Sequence, residues 1–301
     1  MSAVPKAGKQ PRKRRTLRQE ETRLGILLLL PTIILICGVV IYPIIYNIVM
    51  SFHKVSLNPN RPSEFIGWEN YANLFVDPSF YRSLLVTVLY VIATVLGSTI
   101  VGLLVALLLN RPFRGRKIAR SLILLSYIAP LVASVYVWQY MFNNLYGVVN
   151  YLLVDILHIF NEAPLWFDHP VWSVVLVVLF DIWRVFPYSF LMILAALQAI
   201  DASVYEAADV DGASAWRKFW AISFPEILPS IGAIITLRTI WNFYKFDDVF
   251  LFTKNVPVLG VYLYQTAFAS HDNGSAAAIT IILFIIVFTF VVLFGRKVIK
   301  Q

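Results

Sequence analysis

The sequence holds 301 residues, 59% of them hydrophobic and only 14% charged, with a mean hydropathy of +0.74. A water-soluble domain of that composition would lack polar surface, so the chain reads as a membrane protein. The net charge of +8 would suit a nucleic acid, but the charges sit at the ends of apolar runs, which excludes that partner.

The recurring uncharged runs reach the roughly 20 residues that a helix needs to cross a bilayer. A transmembrane barrel would show alternating segments of about 10 residues instead. The expectation is an all-α polytopic membrane protein with six transmembrane helices. The single cysteine, Cys37, lies inside the first run, so there is no disulfide framework and no Cys/His metal spacing.

Residues 1–23 form a basic tail with Lys6, Lys9, Arg12, Lys13, Arg14, Arg15, Arg18 and Arg23. This composition predicts disorder and attraction to anionic headgroups of the lipid bilayer. A cleavable signal peptide is not expected, because the next apolar run is too long and lacks a small-residue cleavage site. The six spans are expected at 24–46, 83–109, 121–142, 171–197, 227–246 and 275–294, within a domain of residues 24–295. Between the first two, Trp68, Tyr71, Phe75, Phe80 and Tyr81 suit the membrane interface. The connection 143–170 leaves room for an interfacial helix over 148–160. Pro187, inside the fourth span, predicts a kink. Residues 296–301 form a second basic tail.

Eighteen of the 25 lysines and arginines fall on the side of the two tails, the 110–120 loop and the 201–226 loop, against four on the opposite side. The excess marks the cytoplasmic face, so both termini are expected there.

The stretch Asp201 to Pro229 is a polar segment between two long apolar runs. Ser203 and Glu206 fit a capping box, Gly212 a helix break, and Ser214 a second cap. Pro225 and Pro229 are expected to end the second short helix. Two short helices about a glycine, with Trp216 exposed, make either a docking surface for a soluble partner or an ordinary structured loop.

Ionisable residues inside spans are costly, and so point to function. Asp181 and Arg184, three apart on the fourth span, are expected to neutralise each other. Arg238, Lys245, Asp247 and Asp248 form a second group. Trp183 and Tyr188 flank the first group, and Trp241, Asn242 and Tyr244 the second. Aromatic faces with a few charges suit a sugar, whose C–H face stacks while its hydroxyls bond. Interhelical ion pairs are the structural alternative. No P-loop, no G-x-S-x-G, no H-E-x-x-H and no C-x-x-C occurs. His271, Asp272 and Ser275 have the residue types of a catalytic triad but lie in a row, which is no evidence of triad geometry. No catalytic residue, metal site or cofactor is expected in this chain.

Glu206-Ala207-Ala208, Gly212 and Ile222-Ser223-Phe224-Pro225 resemble the EAA signature of permease subunits of bacterial binding-protein-dependent ABC importers. Phe224 stands where leucine is usual. The run resembles the carbohydrate-uptake permeases of the maltose and glycerol-phosphate type, as do Ile41-Tyr42-Pro43, Asn110-Arg111-Pro112, Asp181-Ile182-Trp183 and Tyr262 to Phe268. The resemblance implies a type I ABC importer permease fold in the inner membrane. Glu206, Ala207, Ala208, Asp211, Gly212, Trp216 and Pro225 would form the coupling helix region. Its partners would be two copies of a cytoplasmic ABC ATPase, which uses ATP and Mg2+, a second permease subunit and an extracytoplasmic sugar-binding protein. Trp183, Arg184, Tyr188, Trp241, Asn242, Tyr244, Lys245 and Asp247 would contact substrate. The chain departs from the family at Lys254-Asn255-Val256-Pro257, where a Gly-Gly-Pro loop is usual. Lys245, where an uncharged residue is expected, either faces an anionic sugar such as a sulfonated or phosphorylated glycoside or pairs with Asp247 or Asp248. A self-sufficient secondary transporter, with Asp181, Arg184 and Asp247 as ion relays, is the competing reading.

Overall fold

The computed structural model describes residues 17–56 and 62–298. The tail expected at the N-terminus lies outside the described residues as far as residue 16, as do residues 299–301 of the C-terminal tail. The structure divides between Val49 and Met50 into two units.

The first unit is one helical rod. Helix α1 (Leu17–Leu35) passes through a π-helical segment, Ile36–Ile41, into α2 (Tyr42–Ser51). Its side chains from Leu24 onward are exposed or half-exposed and almost entirely apolar. A rod of that kind is stable in lipid because every interior backbone group bonds within the helix.

In the second unit, two residues of β1 (His53–Lys54) pair antiparallel with β2 (Glu64–Phe65). They precede α3 (Glu69–Val76). Asp77 then caps α4 (Pro78–Asn110), accepting from Ser79 N at 2.8 Å, with Pro78 in the first turn where no N–H is needed. Trp68, Phe75 and Tyr81 are exposed, as an interface belt requires, but Tyr71 and Phe80 are core residues. Alternation around α3 and the first turn of α4 turns those two rings inward. Phe80 packs edge-on against Phe75 and Tyr81.

The third span differs from the single helix expected over 121–142. It is α5 (Arg116–Ile128) and α6 (Leu131–Met141), which meet at 95°. Pro130 is the cause. It has no N–H to continue the ladder, and it pushes Ala129 out of the helical region to ψ 139. Gln139 on α6 donates to the carbonyls of Leu251 and Phe252, both at 3.0 Å. With that bent pair counted as one crossing, the described residues hold six candidate spans.

A short helix, α7 (Val148–Asn150), continues as a π-segment to Ile156, within the stretch expected to be interfacial. Helix α8 (Pro170–Ala199) runs unbroken through Pro187. Next come α9 (Ala202–Val210) and α10 (Ala215–Lys218). Helix α10 does not end at Pro225. It passes through a π-segment, Phe219–Ser223, into α11 (Phe224–Phe243). Widening the turn there moves the preceding carbonyls off the proline ring, and Phe224 N bonds back to Phe219 O. The loop after α11 holds α12 (Asp247–Phe252) and α13 (Leu259–Tyr264), and α14 (Asn273–Val298) closes the fold.

Helices α4 and α8 pack along much of their length, with α11 against both and α14 against α11. Gly102 permits the closest approach: a Cβ there would meet Ser189 Cβ at 2.6 Å and Phe190 N at 2.8 Å. Tyr90, Phe180, Leu176, Leu259 and Ile279 fill one core cluster. Phe190, Ile193, Ile227 and Ile234 fill a second. The buried hydroxyls of Thr87, Thr94 and Thr99 donate to carbonyls of their own helix, so they add no unsatisfied group. Asp272 accepts from Ser275 N at 3.0 Å at the start of α14, so its carboxylate serves a helix start, and the Ser275 hydroxyl is directed to Asn70 Oδ1 at 3.5 Å.

Candidate functional site: a buried charge network and an exposed elbow

Helices α8 and α11 carry ionisable side chains where their buried faces meet. Asp181, fully buried on α8, accepts from Arg238 Nη2 at 2.9 Å and lies 3.2 Å from Lys245 Nζ. Lys245 also reaches Asp248 Oδ2 at 2.5 Å, and Arg184 Nη1 lies 3.5 Å from the same oxygen. The result is a chain of alternating charge, Arg238, Asp181, Lys245, Asp248, Arg184. It ties α8, α11 and the first turn of α12 together. Asn242 donates to Thr94 Oγ1 on α4 at 2.6 Å and approaches Asp181 Oδ2 at 3.5 Å, which adds the fourth helix.

This corrects the expectation that Asp181 and Arg184 neutralise each other. Three residues apart they diverge on the helix face. Asp181 points into the α11 contact, where a guanidinium offers a short charge-assisted bond, and Arg184 is turned toward α12. Arg238, on α11, and Lys245, just beyond its end, both reach Asp181. Lys245 pairs with Asp248, three residues on, while Asp247 is exposed.

The network counts three cations and two carboxylates. Arg184 Nε, Arg238 Nε and Asn242 Oδ1 are buried without a hydrogen-bond partner among the described residues. Beside it runs an aromatic row. Tyr127 stacks on Tyr188 with centroids 6.4 Å apart, and Tyr188 meets Trp241 at 5.8 Å. Trp241 and Tyr244 expose much of their surface, whereas Asn242 is buried and Trp183 packs among Trp138 and Phe180. The structure thus gathers Arg184, Lys245, Tyr188 and Trp241 near one network, and gives Asn242 and Trp183 packing surroundings. Thr94 was missed from the sequence. Its signal is the polar stripe Ser83, Thr87, Thr94 and Ser98 on α4, all buried, at spacings that keep one helix face.

The elbow is built from short-range bonds. Asp201, not Ser203, caps α9, accepting from Ser203 N at 2.9 Å. That bond holds the Asp201 carboxyl below its usual range. The helix begins two residues earlier than a Ser203 cap implies because the aspartate is the stronger anchor of a helix N-terminus. Gly212, at φ +70, breaks the helix, and Ser214 caps α10, accepting from Arg217 N at 3.3 Å. Lys218 binds Asp209 at 2.6 Å across the two short helices. Tyr205 and Ser223 share a hydroxyl bond of 2.8 Å that fixes α9 to the base of α11. Glu206, Ala207, Asp211, Gly212 and Pro225 are exposed on the elbow. Val210 is 89% exposed and Trp216 72%. Ala208 is half-buried.

A family model described as the binding-protein-dependent transport system inner membrane component matches residues 98–301. The chain is 54% identical over 274 residues to the inner membrane ABC transporter permease protein YcjO of Escherichia coli, covering 91% of this chain and 94% of that one. It is 36% identical over 280 residues to the sulfoquinovosyl glycerol transport system permease protein SmoG of Agrobacterium fabrum, with 91% and 90% covered. The crystal structure of a bacterial ABC transporter involved in the import of the acidic polysaccharide alginate contains a chain of the same fold. The TM-score is 0.79 at 22% identity, covering 94% of this chain and 98% of that chain.

Proposed function

The chain belongs to the binding-protein-dependent transport system inner membrane components, and on that premise we propose that it is the permease subunit of an ATP-driven sugar importer. It contributes half of the translocation path, and a second permease subunit completes it. A pair of cytoplasmic ABC ATPase subunits binds ATP and Mg2+ and docks on the elbow formed by α9, Gly212 and α10. An extracytoplasmic binding protein delivers the solute to the opposite face, and both termini of this chain lie on the ATPase side. Sugar is the preferred solute class because the named relative SmoG transports a glycoside and because half-exposed Tyr188, Trp241 and Tyr244 offer stacking faces beside Arg184 and Lys245. Asp247 offers an acceptor at the same end of α11. Another polar or anionic solute would use the same wall.

The observation that carries the reading is the elbow. Two helices of nine and four residues are pinned by three side-chain bonds, yet present Val210 and Trp216 to solvent. Rigid support beneath exposed apolar groups is what a docking surface needs. Purification from the native membrane should therefore recover an ATPase and a second permease with the chain. Glu206→Lys or Gly212→Pro should release the ATPase and leave the second permease bound. Solute uptake by this chain alone, driven by an ion gradient after ATP depletion, would instead establish the secondary-transporter reading.

A further inference from the structure

We propose that the membrane face beside the elbow holds a binding site for one anionic phospholipid. A cavity of about 870 Å³ opens between the last turns of α4 and the run from α10 into α11. Leu103, Leu104 and Leu107 form one wall, and Trp216, Phe219 and Trp220 the other. From Leu103 to Arg111 the helix rises about 12 Å. Over that distance the lining changes from leucine to Asn110 and Arg111. An apolar floor under a cationic rim matches an acyl chain with a charged headgroup.

Three observations favour a lipid over a protein partner. The floor is made by leucines of the candidate span α4. Trp220, packed against Phe219 at 5.1 Å and Phe224 at 4.9 Å, is an amphipathic ring of the kind that sits at headgroup depth. The charge is complementary to an anion: no carboxylate lines the cavity, whereas Arg111 and Lys218 do. Lys218 is shared with Asp209. Arg111 is exposed, and it enters none of the ion pairs among the described residues. Arg114, Arg116 and Lys117 follow it in the chain and raise the local positive field. A zwitterionic lipid gains much less from that field. A bound anionic lipid would rest against Trp216 and Phe219, and so would hold α10 in place from the membrane side.

The test uses the assembled complex, purified in mild detergent with its partner subunits and stripped of lipid by extended washing. Phosphatidylglycerol or phosphatidylcholine with brominated acyl chains is then added. Retained lipid is counted by native mass spectrometry, and binding is followed by quenching of tryptophan fluorescence. One phosphatidylglycerol should be retained per chain, with phosphatidylcholine at least five-fold weaker. Arg111→Gln, an exposed change after the end of α4, should weaken phosphatidylglycerol about five-fold. Leu104→Trp, which fills the apolar wall, should abolish retention while the complex elutes as before. Equal affinity for the two lipids overturns the proposal. So does unchanged affinity in Arg111→Gln, which decides the matter even if Leu104→Trp fails to assemble. Absence of any retained lipid in the unmodified complex means that a partner subunit fills the cavity, and also overturns it.

Discussion

The charge network and the elbow are two polar regions of a mostly apolar chain, and they solve opposite problems. In the network, the polar atoms face inward and, Lys245–Asp248 apart, the partners are distant in sequence, so those bonds fix tertiary contacts. In the elbow, the bonds are local, spanning 2 to 18 residues, and the apolar side chains face outward. The first arrangement makes a burial tolerable. The second prepares a surface. The contrast shows why composition alone misleads here, since similar residue types fix helix register in one place and support recognition in the other.

The comparison breaks most severely at Asp181. Asp181→Ala leaves Arg238 and Lys245 buried without their shared carboxylate, and should cost about 3–5 kcal/mol. The loss would appear as a lower midpoint of thermal unfolding in detergent and a poorer folded yield. Adding Arg238→Met should recover part of it, because that second change removes a stranded charge. Lys245→Met is expected to be milder, about 1.5–3 kcal/mol, the range for a hydrogen bond to a charged group. Each carboxylate keeps one arginine, so the folded state should survive while α12 loosens, which hydrogen exchange of the 247–252 amides would detect. At the elbow, Lys218→Ala removes an exposed pair worth about 0.2–1 kcal/mol. Global unfolding should stay unchanged, and the effect should fade as salt is raised. A large stability loss there would mean that the elbow is part of the core, and the contrast would fail.

Much of this architecture was legible because bilayer spans need only length and apolarity, both of which are local. The glycine break at Gly212 and the cap at Ser214 were legible for the same reason. The pairing of Asp181 was not, because spacing along one helix cannot show which neighbouring helix offers a closer cation. The bend after Ile128 had a visible cause in Pro130, yet an apolar run of uniform character reads as one span. Pro225 misled in the opposite direction, because a π-segment absorbs a proline that a regular helix would not. Thr94 was hidden by its ordinariness. A threonine in a membrane helix usually bonds to its own backbone, and Thr94 does so while also accepting from Asn242. The aromatic row beside the network was anticipated as a set of residue types, but which rings lie open to a passing solute depends on packing between helices.

The right-angled third span bears on how the chain enters its membrane. Helix α5 has 13 residues and α6 has 11, and neither reaches the length at which a segment partitions into lipid on its own. Most of their contacts are with α8 and α12 respectively, elements that leave the ribosome later. The insertion machinery therefore meets one continuous greasy segment, and the fold into two limbs belongs to the stage at which α8 and α12 arrive. Biogenesis of this subunit has a built-in order, with a late rearrangement at Pro130 as its marker.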